Sequence, residues 1–465
     1  MEVLELARWQ FGITTVYHFF FVPLTIGLSV LVAMMQTVWW RTGDERWLRL
    51  TKFFGKLFLI NFAMGIATGI VQEFQFGMNW SDYSRFVGDI FGAPLAIEGL
   101  LAFFLESTFL GLWIFGWDRL KPGVHLACIW IAAAGTVLSA YFILAANSFM
   151  QNPVGYTLNA EKGRAELTDF GAVLTNKVLT VTFPHQIFGC FMVAGAFVAG
   201  VALWHIMHRS DGDGAFRSAL RMGAVVLLVS GIGTIISGDF QGKVMTEVQP
   251  MKMAAAEGLY DDAKPAPFSV LTIGTLDGTE EVFKLEVPKV LSFLGTGSFD
   301  GQVRGIDSLQ DEYEQTYGPG DYSPNIPVTY WTFRLMITTG GLAMAAGALM
   351  LWATRRGRTP RSRWMLRAAI VLPLLPMVAN SFGWIFTEMG RQPWVVFGLM
   401  PTASGVSPST SVAEVVTSLA TFTALYGVLA VIEVRLLLRY VKAGLPELEP
   451  PTDPDDADAP LAFAY

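Results

Sequence analysis

Three residues with iron-ligating side chains lie a few positions inside long apolar runs: His18 in TVYHFFFVPL, His185 in TFPHQIFG and Met336 in YWTFRLMITTGG. Polar or ionisable groups at such positions are costly in lipid and are normally there for a purpose. If the runs holding His185 and Met336 are helices entering from the same face, both side chains sit about 10 Å below that interface at a rise of about 1.5 Å per residue. An imidazole and a thioether from two helices at equal depth make a suitable axial pair for a six-coordinate haem iron, with the thioether raising the potential. Taken singly, each has a plainer role. A buried His is more often a hydrogen-bonded core residue, and with 19 Met in the chain a lone one is a gap filler. The shared depth is what favours ligation. The remaining histidines, His125, His205 and His208, fall at run ends, where placement at the membrane interface costs little.

Carboxylates form the second group. Glu98 and Glu106 lie in PLAIEGLLAFFLESTFLGLW, and on a regular α-helix their spacing leaves them about 80° apart around the axis and about 12 Å apart along it. Such a ladder within an apolar run suits proton relay, with a structural salt bridge as the alternative. Glu73 in VQEFQFG is at a run end and is less telling. Glu388 in NSFGWIFTEMGRQPW is followed by Arg391. That carboxylate could ligate a ferric iron, and the guanidinium could neutralise a haem propionate or a carboxylate by bidentate hydrogen bonding. A local Glu388–Arg391 pair closing a helix end is the other reading. Lys252 and Glu257 share the stretch QPMKMAAAEGLYDD. In a helix they would stand about 140° apart, placed to flank a ligand rather than to pair, whereas a solvated turn would give them no such role.

The elements that must position these groups are membrane spans. The 465 residues are 52% hydrophobic and only 15% charged, with a mean hydropathy of +0.45, against about 25% charged in soluble domains. Apolar runs with polar flanks predict an all-α integral membrane protein of about nine transmembrane helices, at roughly 14–38, 54–77, 94–117, 124–148, 178–207, 219–238, 328–354, 366–388 and 411–439. Cations gather in alternate loops: Arg41, Arg46, Arg49 and Lys52; Arg119 and Lys121; Arg209, Arg217 and Arg221; Arg355, Arg356, Arg358, Arg361, Arg363 and Arg367. The chain leaves the ninth run through Arg435, Arg439 and Lys442, while the other loops hold few cations, Arg85 and Arg391 among them. The positive-inside rule then puts the N-terminus outside and the C-terminus in the cytoplasm.

This reading divides the chain into a first helical block (1–238) with His18, His185 and the acid ladder, a polar outer loop (239–327), a second helical block (328–440) with Met336 and Glu388, and an acidic, Pro-rich tail (441–465) expected to be disordered. MEVLELARWQFG lacks the marks of a removable signal peptide, so the first run is expected to remain. A net charge of -7 argues against a nucleic-acid partner. Cys128 and Cys190, each within an apolar run, are expected to be packing residues rather than a disulfide or metal site.

These motifs carry a resemblance. HFFFVPLTIGL, GAPLAIEGLLAFFLEST, SAYFILAANSFMQNPVG, TFPHQ, QPMKMAAAEG, WTFRLM and GRQPW after Glu388 occur in that order, and the chain resembles subunit I of the cytochrome bd quinol oxidases, short-loop branch, from about residue 7 to about residue 440. The resemblance implies a bacterial cytoplasmic (inner) membrane enzyme that oxidises quinol at the outer face and reduces O2 to water with cytoplasmic protons, generating proton-motive force without pumping. It implies His185 and Met336 as ligands of a low-spin haem b. It implies His18 and Glu388 as axial ligands of two high-spin haems, one haem b and one haem d (or haem b in its place), with Glu98 at the oxygen-reducing one. Which of His18 and Glu388 serves haem d is left open. Lys252 and Glu257 are implied to contact ubiquinol or menaquinol, and Ser139 and Glu106 to belong to the proton path. The implied partners are subunit II, small single-span subunits and membrane lipid. A proton-coupled transporter or channel is the competing class. It explains Glu98 and Glu106 but not the common depth of His18, His185, Met336 and Glu388, nor the lack of an internal repeat.

Overall fold

A computed structural model describes residues 2–208 and 212–447, and among them nine helices are long and apolar enough to cross a membrane. They are Val3–Thr42, Glu45–Met78, Ser81–Phe115, Pro122–Gln151, Phe170–Met207, Ala215–Val248, Ile326–Gly357, Arg363–Met389 and Val412–Ala443, referred to below as the first to ninth spans. Several run past the apolar limits expected from sequence, because a helix continues through polar flanks until a capping residue or a turn stops it. The first ends at Gly43, whose φ of 67° needs a residue tolerant of the left-handed region. Asp44 and Asn325 cap the starts of the second and seventh spans, and Ser411 with Glu414 forms a capping box at the ninth. The sixth span extends to Val248, so the polar loop begins about ten residues later than expected. Arg209 and the tail beyond residue 447 lie outside the described residues.

The third span departs from regular geometry. Glu98–Phe103 is a π-helical segment between two α-helical stretches. Its wider turns take more residues per revolution, so the 80° expected between Glu98 and Glu106 does not apply. Both acids instead meet the fourth span one turn apart: Glu98 at Ser139, and Glu106 against Gly135, where a Cβ would come within 2.8 Å of the Glu106 Cγ.

The basic loops share one end of the bundle. Arg49 binds Asp213 and the carbonyl of Pro446, and Arg217 donates to the Arg358 carbonyl and to Thr359. The largest apolar core fills the half of the bundle nearest that end, built from the 24–35, 50–58, 110–132, 192–227 and 343–372 stretches. None of His18, Glu98, His185, Met336 or Glu388 belongs to it.

Between the sixth and seventh spans the loop folds rather than trails. Pro250–Glu257 is a helix, Phe268–Gly274 and Glu281–Val287 pair as an antiparallel hairpin, and Ile306–Tyr317 is a second helix packed on the first through Met251, Ala254 and Leu309. Cys128 and Cys190 are buried and free.

Candidate functional site

Two histidines are held in the same way. His18 Nδ1 lies 2.8 Å from Thr68 Oγ1 on the second span, and the next residue, Gly69, is so close that a Cβ there would stand 3.2 Å from His18 Cε1. His185 Nδ1 lies 3.2 Å from Ser237 Oγ on the sixth span, and a Cβ on Gly238 would again stand 3.2 Å from its Cε1. A hydroxyl-glycine dipeptide on the facing helix thus orients each ring through Nδ1 and admits it closely, leaving Nε2 available to bind a metal. That is the outer-shell pattern of iron-binding imidazoles.

Met336 has a matching cradle. A Cβ at Gly383 of the eighth span would be 2.8 Å from the Met336 Sδ, and one turn earlier Asn380 accepts a 3.1 Å hydrogen bond from Gln186, the residue after His185. The eighth span therefore touches both the thioether and the neighbour of the imidazole. Among the described residues no three His, Cys, Asp or Glu side chains cluster as a metal cage. The chemistry of this donor set, single imidazoles and a thioether backed by glycines in an otherwise apolar bundle, fits the axial ligation of flat haem macrocycles.

Glu388 ends the eighth span. Its Oε1 accepts 3.0 Å from Asn147 Nδ2, and its Oε2 accepts from Arg391 Nε at 2.9 Å and from Arg391 Nη2. Arg391 Nη1 also donates to the carbonyls of Trp394 and Val395, each at 2.8 Å. The structure thus shows the local Glu388–Arg391 pair closing the end of the eighth span, the plainer of the two readings of this motif. Three donors leave that carboxylate an acceptor position of its roughly four lone-pair sites. One turn back, Trp384 stacks on Phe19, the neighbour of His18, with ring centroids 5.1 Å apart, so the His18 and Glu388 regions adjoin.

The acid ladder faces the fourth span. Ser139 Oγ donates a 2.6 Å hydrogen bond to Glu98 Oε1, and Glu106 is buried. No cation pairs with Glu98 or Glu106 among the described ion pairs, so the salt-bridge alternative finds no partner.

Lys252 and Glu257 lie on the loop helix Pro250–Glu257, both buried, and they point to different partners. Lys252 Nζ donates to Gln151 Oε1 and to the Thr387 carbonyl, each at 3.0 Å, and Gly390 leaves room for its stem. Burial holds its ammonium down to a pKa of about 7, with Glu388 opposing and Arg391 reinforcing that shift. Glu257 Oε2 instead takes Arg334 Nη2 at 2.7 Å and the Ser269 amide at 3.1 Å. Burial pushes the Glu257 carboxyl up, against the pull of Arg334. Thr68, Ser237, Asn147 and Arg334 were not singled out from sequence. A hydroxyl or amide has no periodic signal, and only the facing helix shows what it touches.

The comparisons with known proteins agree with this architecture. Residues 6–445 match the model of the family described as cytochrome bd terminal oxidase subunit I. The chain is 48% identical to a cytochrome bd ubiquinol oxidase subunit 1 of Bacillus subtilis, covering 96% of this chain and 94% of that one. It is 36% identical to a cytochrome bd-II ubiquinol oxidase subunit 1 of Escherichia coli, covering 95% and 97%. A solved bd oxidase from Geobacillus thermodenitrificans superposes with a TM-score of 0.85 at 28% identity, over 95% of this chain and 99% of that one. With nine apolar helices among the described residues and this family membership, the protein is a multi-pass protein of the bacterial inner membrane. The chain belongs to the cytochrome bd terminal oxidase subunit I family.

Proposed function

We propose that this chain is the haem-bearing catalytic subunit of a terminal respiratory oxidase that works with a subunit II, oxidises quinol at the outer membrane face and reduces O2 to water with protons drawn from the cytoplasm. The observation that carries the reading is the repeated arrangement at His18 and His185, each ring oriented through Nδ1 by a hydroxyl whose neighbouring glycine admits it. His185 and Met336 would hold a low-spin haem b. His18 and Glu388 would each hold a high-spin haem, one haem b and the other haem d or a second haem b, and Glu98 would stand by the oxygen-reducing one. When bound, the haems carry electrons from quinol to O2.

The rest of the work falls to the protein's own side chains. Lys252 and Glu257 mark the quinol-binding region, and Arg391 orients the Glu388 carboxylate. Glu106 and then Glu98, the latter hydrogen-bonded by Ser139, pass protons up one face of the fourth span. With the basic-loop end in the cytoplasm, quinol protons leave outside while the protons for water come from inside. That separation builds proton-motive force without a pump. The test is a dithionite-reduced minus air-oxidised visible spectrum of the purified two-subunit enzyme, with the extracted haems identified by mass. Haem b bands with a far-red chlorin band are expected, or haem b alone in the variant without haem d. A colourless protein, purified so that haem loss is excluded, would overturn the reading.

A further inference from the structure

The hairpin of the loop between the sixth and seventh spans is amphipathic in the sense opposite to that of a soluble element. Its register sets Phe268 against Val287, Leu271 against Leu285 and Ile273 against Phe283 across the two strands. Residues directly opposite share a face of the sheet, as do side chains two apart along a strand, so these apolar side chains form one face. Ser269, opposite Glu286, and Thr272, opposite Lys284, belong to the other. The polar face is the one turned inward. Ser269 Oγ lies 2.7 Å from Tyr330 Oη on the seventh span, the Thr272 amide donates to that same oxygen at 2.5 Å, and the Ser269 amide donates to Glu257. The apolar face is left outside: Ile273 is 47% exposed, Phe283 and Leu285 53% each and Val287 43%, with Leu276 at the turn wholly exposed. On a two-stranded sheet, whose strands are both edges, an apolar face of this kind needs a cover.

We propose that the cover is the bilayer: the hairpin seats its apolar face in the leaflet at the end of the bundle opposite the basic loops. The hairpin is fastened to the start of a membrane span. Besides the bonds to Tyr330, Gly278 in its turn lies so close to Pro327 that a Cβ there would stand 2.8 Å from the ring, and Glu257, which holds the Ser269 amide, pairs with Arg334. Trp331, next to Tyr330, is exposed and opens an outward apolar stripe that continues through Leu335, Leu342 and Leu349 at helical spacing. An indole at the mouth of a span marks the level of the membrane interface, so the hairpin is held at that level with lipid beside it. The unpaired backbone groups of its outer edges are not tolerated in hydrocarbon, which sets the face at the boundary of headgroups and acyl chains and no deeper. Lys284, on the polar face, pairs with Glu281 and Glu286 and stays with the headgroups. Through Glu257 and Arg334 the seated hairpin steadies the helix Pro250–Glu257, so contact with lipid sets the height of the loop above the bilayer.

The test is spin labelling of the two-subunit enzyme, oxidised and without quinol, in vesicles of phosphatidylcholine and phosphatidylglycerol. Phe283→Cys, Leu285→Cys and Lys284→Cys are each labelled with a nitroxide, and its collisions with O2 and with a water-soluble nickel chelate are measured. Cys128 and Cys190 are buried, and the wild type taken through the same labelling gives their background. For Phe283→Cys and Leu285→Cys, collisions with the chelate should be lost and those with O2 should rise, placing the labels roughly 5–10 Å into the boundary layer. Lys284→Cys, one residue away on the polar face, should keep its collisions with the chelate. Free access of the chelate to the labels on the apolar face would overturn the proposal and leave that face in water. Loss of both kinds of collision would overturn it as well, because subunit II or a second copy of the chain would then be the cover. An unaltered visible spectrum is the criterion of folding, and Leu276→Cys at the exposed turn, with the same expectation, takes the place of any strand variant that fails it.

Discussion

At the scale of single residues, two substitutions separate ligation from proton delivery. Met336→Leu keeps the volume of a half-buried side chain and removes the sulfur, so the fold should survive at a cost below about 1.5 kcal/mol. The low-spin haem b signal should be lost or converted to high-spin; an unchanged spectrum would disprove the Met336 assignment. If Glu106 carries protons as proposed, Glu106→Gln removes that carrier without altering shape, and stopped-flow traces should show quinol still reducing the low-spin haem while O2 reduction slows. Equal loss of both steps would count against a relay. Lys252 gives a third, pH-dependent readout. Its folded pKa is about 7, whereas an unfolded chain keeps the proton to about 10.4, so between those values the unfolded state binds more protons and the lysine's contribution to stability rises with pH. Below about 7 both states are charged and the burial cost is paid in full. Glu388 and Arg391 are the charges that face it. Melting temperatures of the wild type should therefore gain on those of Lys252→Met as the pH is raised through that window, and a constant difference would refute the neutral lysine. The residue types were legible in the sequence because acids, imidazoles and a thioether are conspicuous in lipid. The partners of each were not, since Thr68 and Ser237 look like any other helical hydroxyls.

At the scale of elements, the spans were legible because a run of some twenty apolar residues has few other homes. Their inner geometry was not. The π-helical segment Glu98–Phe103 leaves no mark in the hydrophobic pattern, yet it decides which way Glu98 and Glu106 face. Close helix approach is a second such feature. A Cβ on Gly195 of the fifth span would stand 2.6 Å from the carbonyl oxygen of Gly223 on the sixth, so two backbones would have to part. Gly195→Ala is expected to destabilise by roughly 1–3 kcal/mol in thermal or denaturant unfolding of the purified enzyme. Gly111→Ala, at a position with nothing within 4 Å, should cost no stability. Equal effects of the two would contradict the packing described for the fifth and sixth spans.

At the scale of the whole molecule, the least buried spans are the third, seventh and ninth, whose apolar faces are left for lipid or subunit II. The enzyme reconstituted in vesicles with its quinol site outward should release as many protons outside as electrons pass to O2, and Glu106→Gln should lower the rate but not that ratio. A higher ratio would require a pump that the polar residues described here do not provide. The sequence by itself determined the membrane class, the number of spans, the clustering of cations in alternate loops and the identity of the ligand candidates, because burying polar groups in lipid is so costly that composition alone exposes them. The tertiary structure alone decided which helix supplies the hydroxyl and glycine to each imidazole, and that Glu257 turns to Arg334 while Lys252 turns to Gln151. Those facts depend on helix rotation and close approach, where a shift of one residue moves a side chain by about 100°, and no periodicity in the sequence encodes them.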